Sequence, residues 1–457
     1  MRALTAQWVA NAVGGTLAAD VDTVVTSVVK DSRDVVPGSL YVAFVGERVD
    51  GHAFAGAAVA AGATLCLVAE GVDAPHVLVD DVEVALGDLA RAYLALLRTE
   101  GEITVIGITG SNGKTTTKDL VGKILPGSIA PIGSYNNEIG MPLTVLAADS
   151  ATRHLVLEMG ASGPGHINYL TSIAPPDVAV VLMVGSAHAG GYDGPEGIAK
   201  AKAEIVTGLV PGGLAILNAD DDAVAAMASL ASRVVTFGTG PDANVRAAEL
   251  TVDRGHASFV PVVDGVASDR VTLTLVGEHH VGNALASLAV AIECGLGAAE
   301  AAAAIAAAAP ASEHRMAVTA RTDGITVIDD SYNASPESMR AAFRALMDVA
   351  GGGRTFAVVG EMLEMGEASR EAHWDVGHNA VRLGIDYLLV VGDGAKPAFD
   401  AAVREGSWGD EAAFVGSIAE ARAYLAERLT TGDTVLIKAS HGTGLYELAD
   451  ELVRTDA

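Results

Sequence analysis

Residues 103–125, ITVIGITGSNGKTTTKDLVGKIL, decide the fold. The apolar, β-branched run 103–108 predicts a buried strand. Thr109-Gly110-Ser111-Asn112-Gly113-Lys114-Thr115 follows, and Leu120, Val121, Ile124 and Leu125 then share one face of a helix. Strand, glycine loop and helix are the context in which a phosphate-binding loop works. Gly110 and Gly113 let backbone N–H groups approach phosphate oxygens. The helix N-terminus adds the positive end of its dipole. Lys114 offers a point charge to the β- and γ-phosphates of a nucleotide, and Thr115 a hydroxyl to Mg2+. A glycine-rich turn beside a solvated lysine would explain the loop but not its flanks. The common loop has about four residues between its first glycine and Gly-Lys. Here five separate Gly107 from Gly113, which points to the shorter TGxxGKT form.

The chain has 457 residues, enough for about two to four domains with large cores. Half of it is hydrophobic, yet no uncharged apolar run reaches transmembrane length. The opening MRALTAQWVANAVGG lacks the apolar centre and cleavage site of a signal peptide. Cys66 and Cys294 fall in different expected domains and read as buried thiols of a cytoplasmic protein. A net charge of −28 argues against nucleic acid and anionic membrane as partners. A nucleotide must then be held by local groups and Mg2+ against the overall field. The acidity itself reads as a matter of solubility or adaptation to salt.

Strands and helices alternate throughout, which predicts an α/β protein with mostly parallel sheets. Three domains are expected. Residues 1–98 form a small α/β domain. There 24–29 and 40–44 read as strands, Asp50-Gly51-His52 opens an Ala-rich helix ended by Gly62, and 64–68 is a further strand. Residues 99–311 form a central P-loop ATPase-like domain, entered through a polar connector at 99–102. Its apolar runs end at Glu158, at Gly185-Ser186-Ala187-His188 and at Asn218. With the phosphate loop, these occupy the carboxyl ends of strands, where ligands gather in such sheets. Glu158 and His188 suit Mg2+ when a nucleotide supplies further oxygens. A strand-end carboxylate can also cap a helix, and a loop histidine can simply satisfy a hydrogen bond. Residues 245–281 alternate and predict an antiparallel meander. Residues 312–457 form a doubly wound, Rossmann-like domain with strands at 325–328, 355–359, 387–391 and 435–438.

TGSNGKTT resembles the ATP loop of the Mur ligases and of folylpolyglutamate synthase. The Mur ligase resemblance extends over nearly the whole chain. It implies ATP binding by Gly110, Ser111, Asn112, Gly113, Lys114, Thr115 and Thr116. DSRDVVPGSLYVAFVGERVDGHAF is similar to the family's uridine-nucleotide-binding domain, which implies that Ser32 and Arg33 contact the UDP-sugar end of the substrate. LVLEMGASGPGHI and AHAGGYDGPEGIAKAKAEI resemble the segments around the family's Mg2+ ligands. By that resemblance Thr115, Glu158, His188 and Lys202 serve two Mg2+ ions, with Lys202 carbamylated by CO2. Met183 and Ala189 depart from the usual Asn and Leu.

NNEIGMPLT resembles the branch of the family that adds D-alanyl-D-alanine, and implies substrate contacts from Asn136, Asn137 and Glu138. The branch that adds diaminopimelate or lysine carries a TTP-type segment there and an Asp-Asn-Pro-Arg motif, which this sequence lacks. GEHHVGNAL resembles GxHNVxNALA, which implies an adenine contact from Asn283; His280 stands where Asn is usual. DDSYNASP, with Arg315 before it, implies that Arg315 and Asn333 hold ATP and that Asp330 contacts the nucleotide. GEMLEMGE followed by His373 resembles the same branch. Lys438-Ala439-Ser440-His441 departs from Lys-Gly-Ser-Arg, replacing a bidentate cation by a weaker, titratable ring.

The resemblance implies an ATP-dependent, monomeric ligase that activates UDP-N-acetylmuramoyl-tripeptide as an acyl phosphate and joins it to D-alanyl-D-alanine. A ligase adding diaminopimelate or lysine is the alternative within the family. A nucleotide-binding scaffold without turnover is the alternative outside it. Intact Lys114, Thr115, Glu158, His188 and Lys202 argue against the scaffold.

Overall fold

In a computed structural model that describes residues 1–46, 49–131, 133–185, 192, 194–309, 311–406 and 409–454, the alternation resolves into three principal sheets among the described residues. In the first, β1 (Thr16–Ala18), β2 (Ser27–Val29), β3 (Ser39–Val42), β4 (Ala63–Val68) and β5 (His76–Leu78) lie in the order β1-β5-β4-β3-β2. The stretch 24–29, expected as one strand, is two. Val24 and Val25 pair antiparallel with Leu4 and Thr5, whereas β2 pairs parallel with β3. Thr26 turns the chain between them, donating its N–H to the Gly38 carbonyl at 2.8 Å. Two partners divide a run that composition alone would keep whole.

Helix α1 (Val82–Glu100) leaves this sheet with Asp81 as its cap, whose carboxylate accepts from the N–H groups of Glu83 and Val84. Thr99 and Glu100, expected in a connector, instead complete this helix, and the chain leaves it at Gly101. Val82, Leu86, Leu89, Tyr93 and Leu97 recur at helical spacing and are all buried. They belong to one continuous apolar core. It takes in Leu40, Val42, Leu65 and Leu67 of the first sheet and Val105, Leu155 and Leu157 of the next. The fully buried Tyr93 donates its hydroxyl to the Ala148 carbonyl at 2.6 Å.

The second sheet carries the phosphate loop. In chain order come β6 (Thr104–Thr109), α2 (Lys114–Ile124), β7 (Ser128–Ile129), α3 (Gly140–Ala147), β8 (His154–Glu158), α4 (His166–Ile173), β9 (Val178–Val181), α5 (Gly194–Thr207), β10 (Leu214–Asn218) and β11 (Arg233–Gly238). The strands lie in the order β7-β8-β6-β9-β10-β11, all parallel. The expected meander follows as β12 (Val245–Asp253), β13 (His256–Val263), β14 (Val266–Ala267) and β15 (Val271–Val276), antiparallel among themselves. Helix α6 (His280–Glu293) then crosses back over the sheet, packing against α2. Glu158 is in register with Ile108, so the end of β8 stands beside the loop that follows β6.

In the third sheet β16 (Ala317–Ala320), β17 (Thr326–Asp329), β18 (Thr355–Val359), β19 (Tyr387–Val391), β20 (Ala412–Val415) and β21 (Thr434–Lys438) lie as β16-β17-β21-β18-β19-β20. Every pairing is parallel except β16 with β17. Separate apolar cores cover its two faces, one around Phe343 and Leu346 and one around Leu425 and Leu448. The edge strands β16 and β20 are too short and too alanine-rich to stand out as apolar runs. Among the described residues no helix is long and apolar enough to cross a membrane.

If α1 joins the first two sheets through one core, truncating its centre must weaken both. Leu89→Ala, at a fully buried position, is expected to lose about 2–5 kcal/mol of unfolding free energy. Urea unfolding followed by circular dichroism measures this; a loss below about 1 kcal/mol would show the helix to be loosely packed.

Candidate active site

The loop between β6 and α2 ends in Gly113, whose φ of +86° favours glycine. A Cβ there would lie 2.3 Å from Asn283 Oδ1 of α6, so a larger residue would also have to push the Asn283 amide aside. Lys114 folds back and donates to the Gly110 carbonyl at 2.8 Å. Burial draws its ammonium pKa below the usual lysine range, partly offset by the charge of Glu158.

Thr115 is the centre of the arrangement. Its hydroxyl donates to Glu158 Oε2 at 2.9 Å, lies 2.9 Å from the Ser134 hydroxyl, and accepts from Arg315 Nη2 at 3.1 Å. Arg315 also donates to Ser134 at 3.1 Å. Thr115 has one proton, and Glu158 receives it, so Ser134 is the donor in the pair between the hydroxyls. The second oxygen of Glu158 accepts from Asn136 Nδ2 at 2.8 Å. Glu158 and Thr115 are both buried. Two hard oxygen donors beside a phosphate loop form a set that suits Mg2+ together with nucleotide oxygens.

These groups line a cavity of about 420 Å³ between the second and third sheets. Ser111, Asn112, Gly113, Lys114, Thr115, Thr116, Asn136, Glu158, Asn283, Arg315, Asp330 and Asn333 of the expected residues face it. Ser134, His279, Tyr332 and Lys438, to which the sequence reading gives no site role although the last three stand in motifs it quotes, face it too. Lys438 ends the strand β21. It pairs with Asp330 at 2.6 Å and donates to the Asn333 carbonyl at 2.8 Å. Tyr332 lies under the Arg315 guanidinium, 4.0 Å from ring centre to Cζ. Burial holds His280 well below its ordinary value, so its ring is neutral near pH 7. Tyr332 and Asn333 also border a second cavity of about 220 Å³, with Leu363, Ser440 and His441 on its wall. His441 stacks on Tyr446 with ring centres 4.5 Å apart.

Other expected residues stand elsewhere. Asn137 Oδ1 accepts from the Gly140 N–H, and Glu138 pairs with His166 at 2.7 Å, so both brace the loop that presents Asn136. Ser32 and Arg33 lie in the first unit, outside the cavity. Arg33 is exposed and forks onto Asp31, whose carboxyl it holds down to about 2. His188 lies outside the described residues. Lys202 sits on α5 and is buried. Burial, then the nearby charge of Lys114, brings its ammonium down to about 7. It is no surface partner of Glu204, which accepts instead from the N–H groups of Gly165 and Asn168.

Family models match three stretches: the Mur ligase family catalytic domain over 24–94, the Mur ligase middle domain over 108–291, and the Mur ligase glutamate ligase domain over 314–441. A protein of Mycobacterium leprae named UDP-N-acetylmuramoyl-tripeptide--D-alanyl-D-alanine ligase is 42% identical, covering 93% of this chain and 92% of its own. The chain belongs to the Mur ligase family. A Bacillus subtilis Mur ligase of the same name is 34% identical over 99% of this chain and 98% of its own. The fold of this Mur ligase superposes on MurF from Acinetobacter baumannii with a TM-score of 0.89, at 30% identity and full coverage of both chains. MurF from Thermotoga maritima, solved in complex with ADP, gives 0.81 at 30% identity over 94% of this chain and 97% of its own.

Because the φ of Gly113 favours glycine and a Cβ there would push the Asn283 amide aside, Gly113→Ala in this Mur ligase is expected to weaken binding of a non-hydrolysable ATP analogue at least about tenfold. The helical circular dichroism signal should stay unchanged. Calorimetric titration reads the first, and unaltered affinity would show that the loop does not approach α6 so closely.

Proposed function

We propose that this chain joins D-alanyl-D-alanine to UDP-N-acetylmuramoyl-tripeptide, with ATP cleaved to ADP and phosphate, in the synthesis of peptidoglycan precursors. The observation that carries this reading is end-to-end similarity to relatives named for that reaction, at 42% and 34% identity. The structure of a UDP-N-acetylmuramoyl-L-alanyl-D-glutamate--2,6-diaminopimelate ligase is only 18% identical and speaks for the fold alone. The enclosed set of Lys114, Thr115, Glu158 and Arg315 speaks against a scaffold without turnover.

The tripeptide carboxylate attacks the γ-phosphorus of ATP, the bond to the β–γ bridging oxygen breaks, and ADP leaves. The dipeptide amine then attacks the acyl carbon and gives up a proton, and phosphate departs. Lys114 and Arg315 face the charge that spreads over the transferring phosphoryl group. Thr115 and Glu158, with His188 and a carbamate on Lys202, would hold Mg2+, which supplies further neutralisation of that charge. Asn283 faces the adenine, and Asp330 and Asn333 complete the nucleotide cavity. Asn136 points to the acyl end of the tripeptide. Ser32 and Arg33, within residues 1–98, take the UDP end. The unit at 99–311 holds ATP, and 312–457 closes over it and receives the dipeptide in the second cavity, beside His441. The enzyme works in the cytoplasm as a monomer.

Phosphate release from ATP tests the reading. Turnover is expected with UDP-N-acetylmuramoyl-tripeptide plus D-alanyl-D-alanine, and Lys114→Ala should lose it by several kcal/mol in barrier, at about 1.4 kcal/mol per tenfold. Turnover of the UDP-N-acetylmuramoyl-dipeptide with diaminopimelate or lysine, and none with the dipeptide amine, would sink the assignment.

Lys202 has its own test. With a pKa of about 7 it is mostly neutral amine above that pH and ammonium below it. Carbamate formation needs the amine, so stimulation by bicarbonate should strengthen as pH rises from about 6 to about 8. Lys202→Ala should lose activity and regain part of it with acetate. Full activity in Lys202→Arg would end the carbamate idea, since arginine keeps its positive charge.

A further inference from the structure

Helix α2 carries three polar side chains that do not line the nucleotide cavity. Lys118 is fully buried; its ammonium donates to the carbonyls of Pro131 and Gly133, the latter at 2.8 Å, and pairs with Asp119 Oδ1 at 2.8 Å. Asp119 Oδ2 accepts from the Ser312 hydroxyl at 2.6 Å and from the Ser312 N–H at 3.1 Å. Lys123 donates to the Ala309 carbonyl at 2.6 Å. The segment that leads into the last unit is therefore bolted to α2 at 309 and 312, just before Arg315. Gly133, held by Lys118, immediately precedes Ser134. The bonds close a ring that runs from Asp119 through Ser312 and Arg315 to Thr115 and Ser134, and back through Gly133 and Lys118.

We propose that Asp119 is a positioning residue for the phosphoryl-transfer site. Its bond to Ser312 fixes where the connecting segment leaves α2, and so where Arg315 meets Thr115 and Ser134. A carboxylate suits the position because it accepts from Lys118 and twice from Ser312 at once, while neutralising a buried ammonium. An amide has a single acceptor oxygen and no charge. The inference rests on the ATP-ligase reading above, and it concerns residues at which no nucleotide contact is assigned.

The test is a double-mutant cycle between Asp119→Asn and Arg315→Ala, read by calorimetric affinity for Mg2+ and a non-hydrolysable ATP analogue and by phosphate release. Asp119→Asn alone is expected to weaken analogue binding and lower kcat about five- to tenfold, with the KM for the UDP substrate unchanged. In the Arg315→Ala background the same substitution should add less than about twofold, because the group it positions is gone. Equal fold-losses in both backgrounds, or none in either, would overturn the proposal and leave Asp119 as a mere brace. Should Asp119→Asn fail to fold, Ser312→Ala runs through the same cycle with an expected loss of about threefold. A wild type that binds the analogue but releases no phosphate would sink the ligase reading, while the binding cycle still decides the role of Asp119.

Discussion

The single proton of the Thr115 hydroxyl orders the centre of this molecule. Given to Glu158, it leaves the oxygen free to accept from Ser134 and Arg315, and these three partners come from three separate places in the chain. The end of β8, the loop before α3 and the entry to the third sheet are thereby referred to one atom on the first turn of α2. An alanine at 115 would leave a buried carboxylate and a half-buried guanidinium facing each other without their mediator. The cavity's shape is in this sense a property of hydrogen-bond directions more than of apolar packing.

The electrostatics follow the same local logic. A chain with a net charge of −28 repels a nucleotide at long range. Within the cavity the balance reverses, because Lys114 and Arg315 are half-buried on its wall, where their fields are screened less than at the open surface. Lys438 is neutralised by Asp330, so it shapes the wall without adding to the positive field, and Lys118, outside the cavity, is neutralised by Asp119. Lys202, brought down to about 7, adds only part of a further positive charge near neutral pH.

Much of this was legible in the sequence, because strand ends and a glycine loop write their geometry into local order. The phosphate loop, Glu158, and the strands at 355–359 and 387–391 lie where the residues place them. What stayed hidden depends on contacts between distant segments. The break at Thr26 comes from two pairing partners, the continuation of α1 through Glu100 from a core it shares with both sheets, and the roles of Ser134, Tyr332 and Lys438 from contacts between segments distant in the chain. Asn137 and Glu138 share a motif with Asn136, yet loop direction sends their side chains elsewhere. A motif assigns residues to a neighbourhood, and only backbone direction decides which of them face the ligand.

Helix α1 has a consequence for how the chain is born. Its buried stripe belongs to a core that is completed only when strands and helices as far along as Met227 have joined it. On a ribosome the part of this stripe that the first sheet does not cover thus emerges exposed, and stays so until the later strands and helices of the shared core have been made. The third sheet, with a core on each face, draws those cores almost wholly from its own strands and helices. Synthesis therefore has one long exposed interval, early, in which the nascent chain is most open to chaperones and to aggregation.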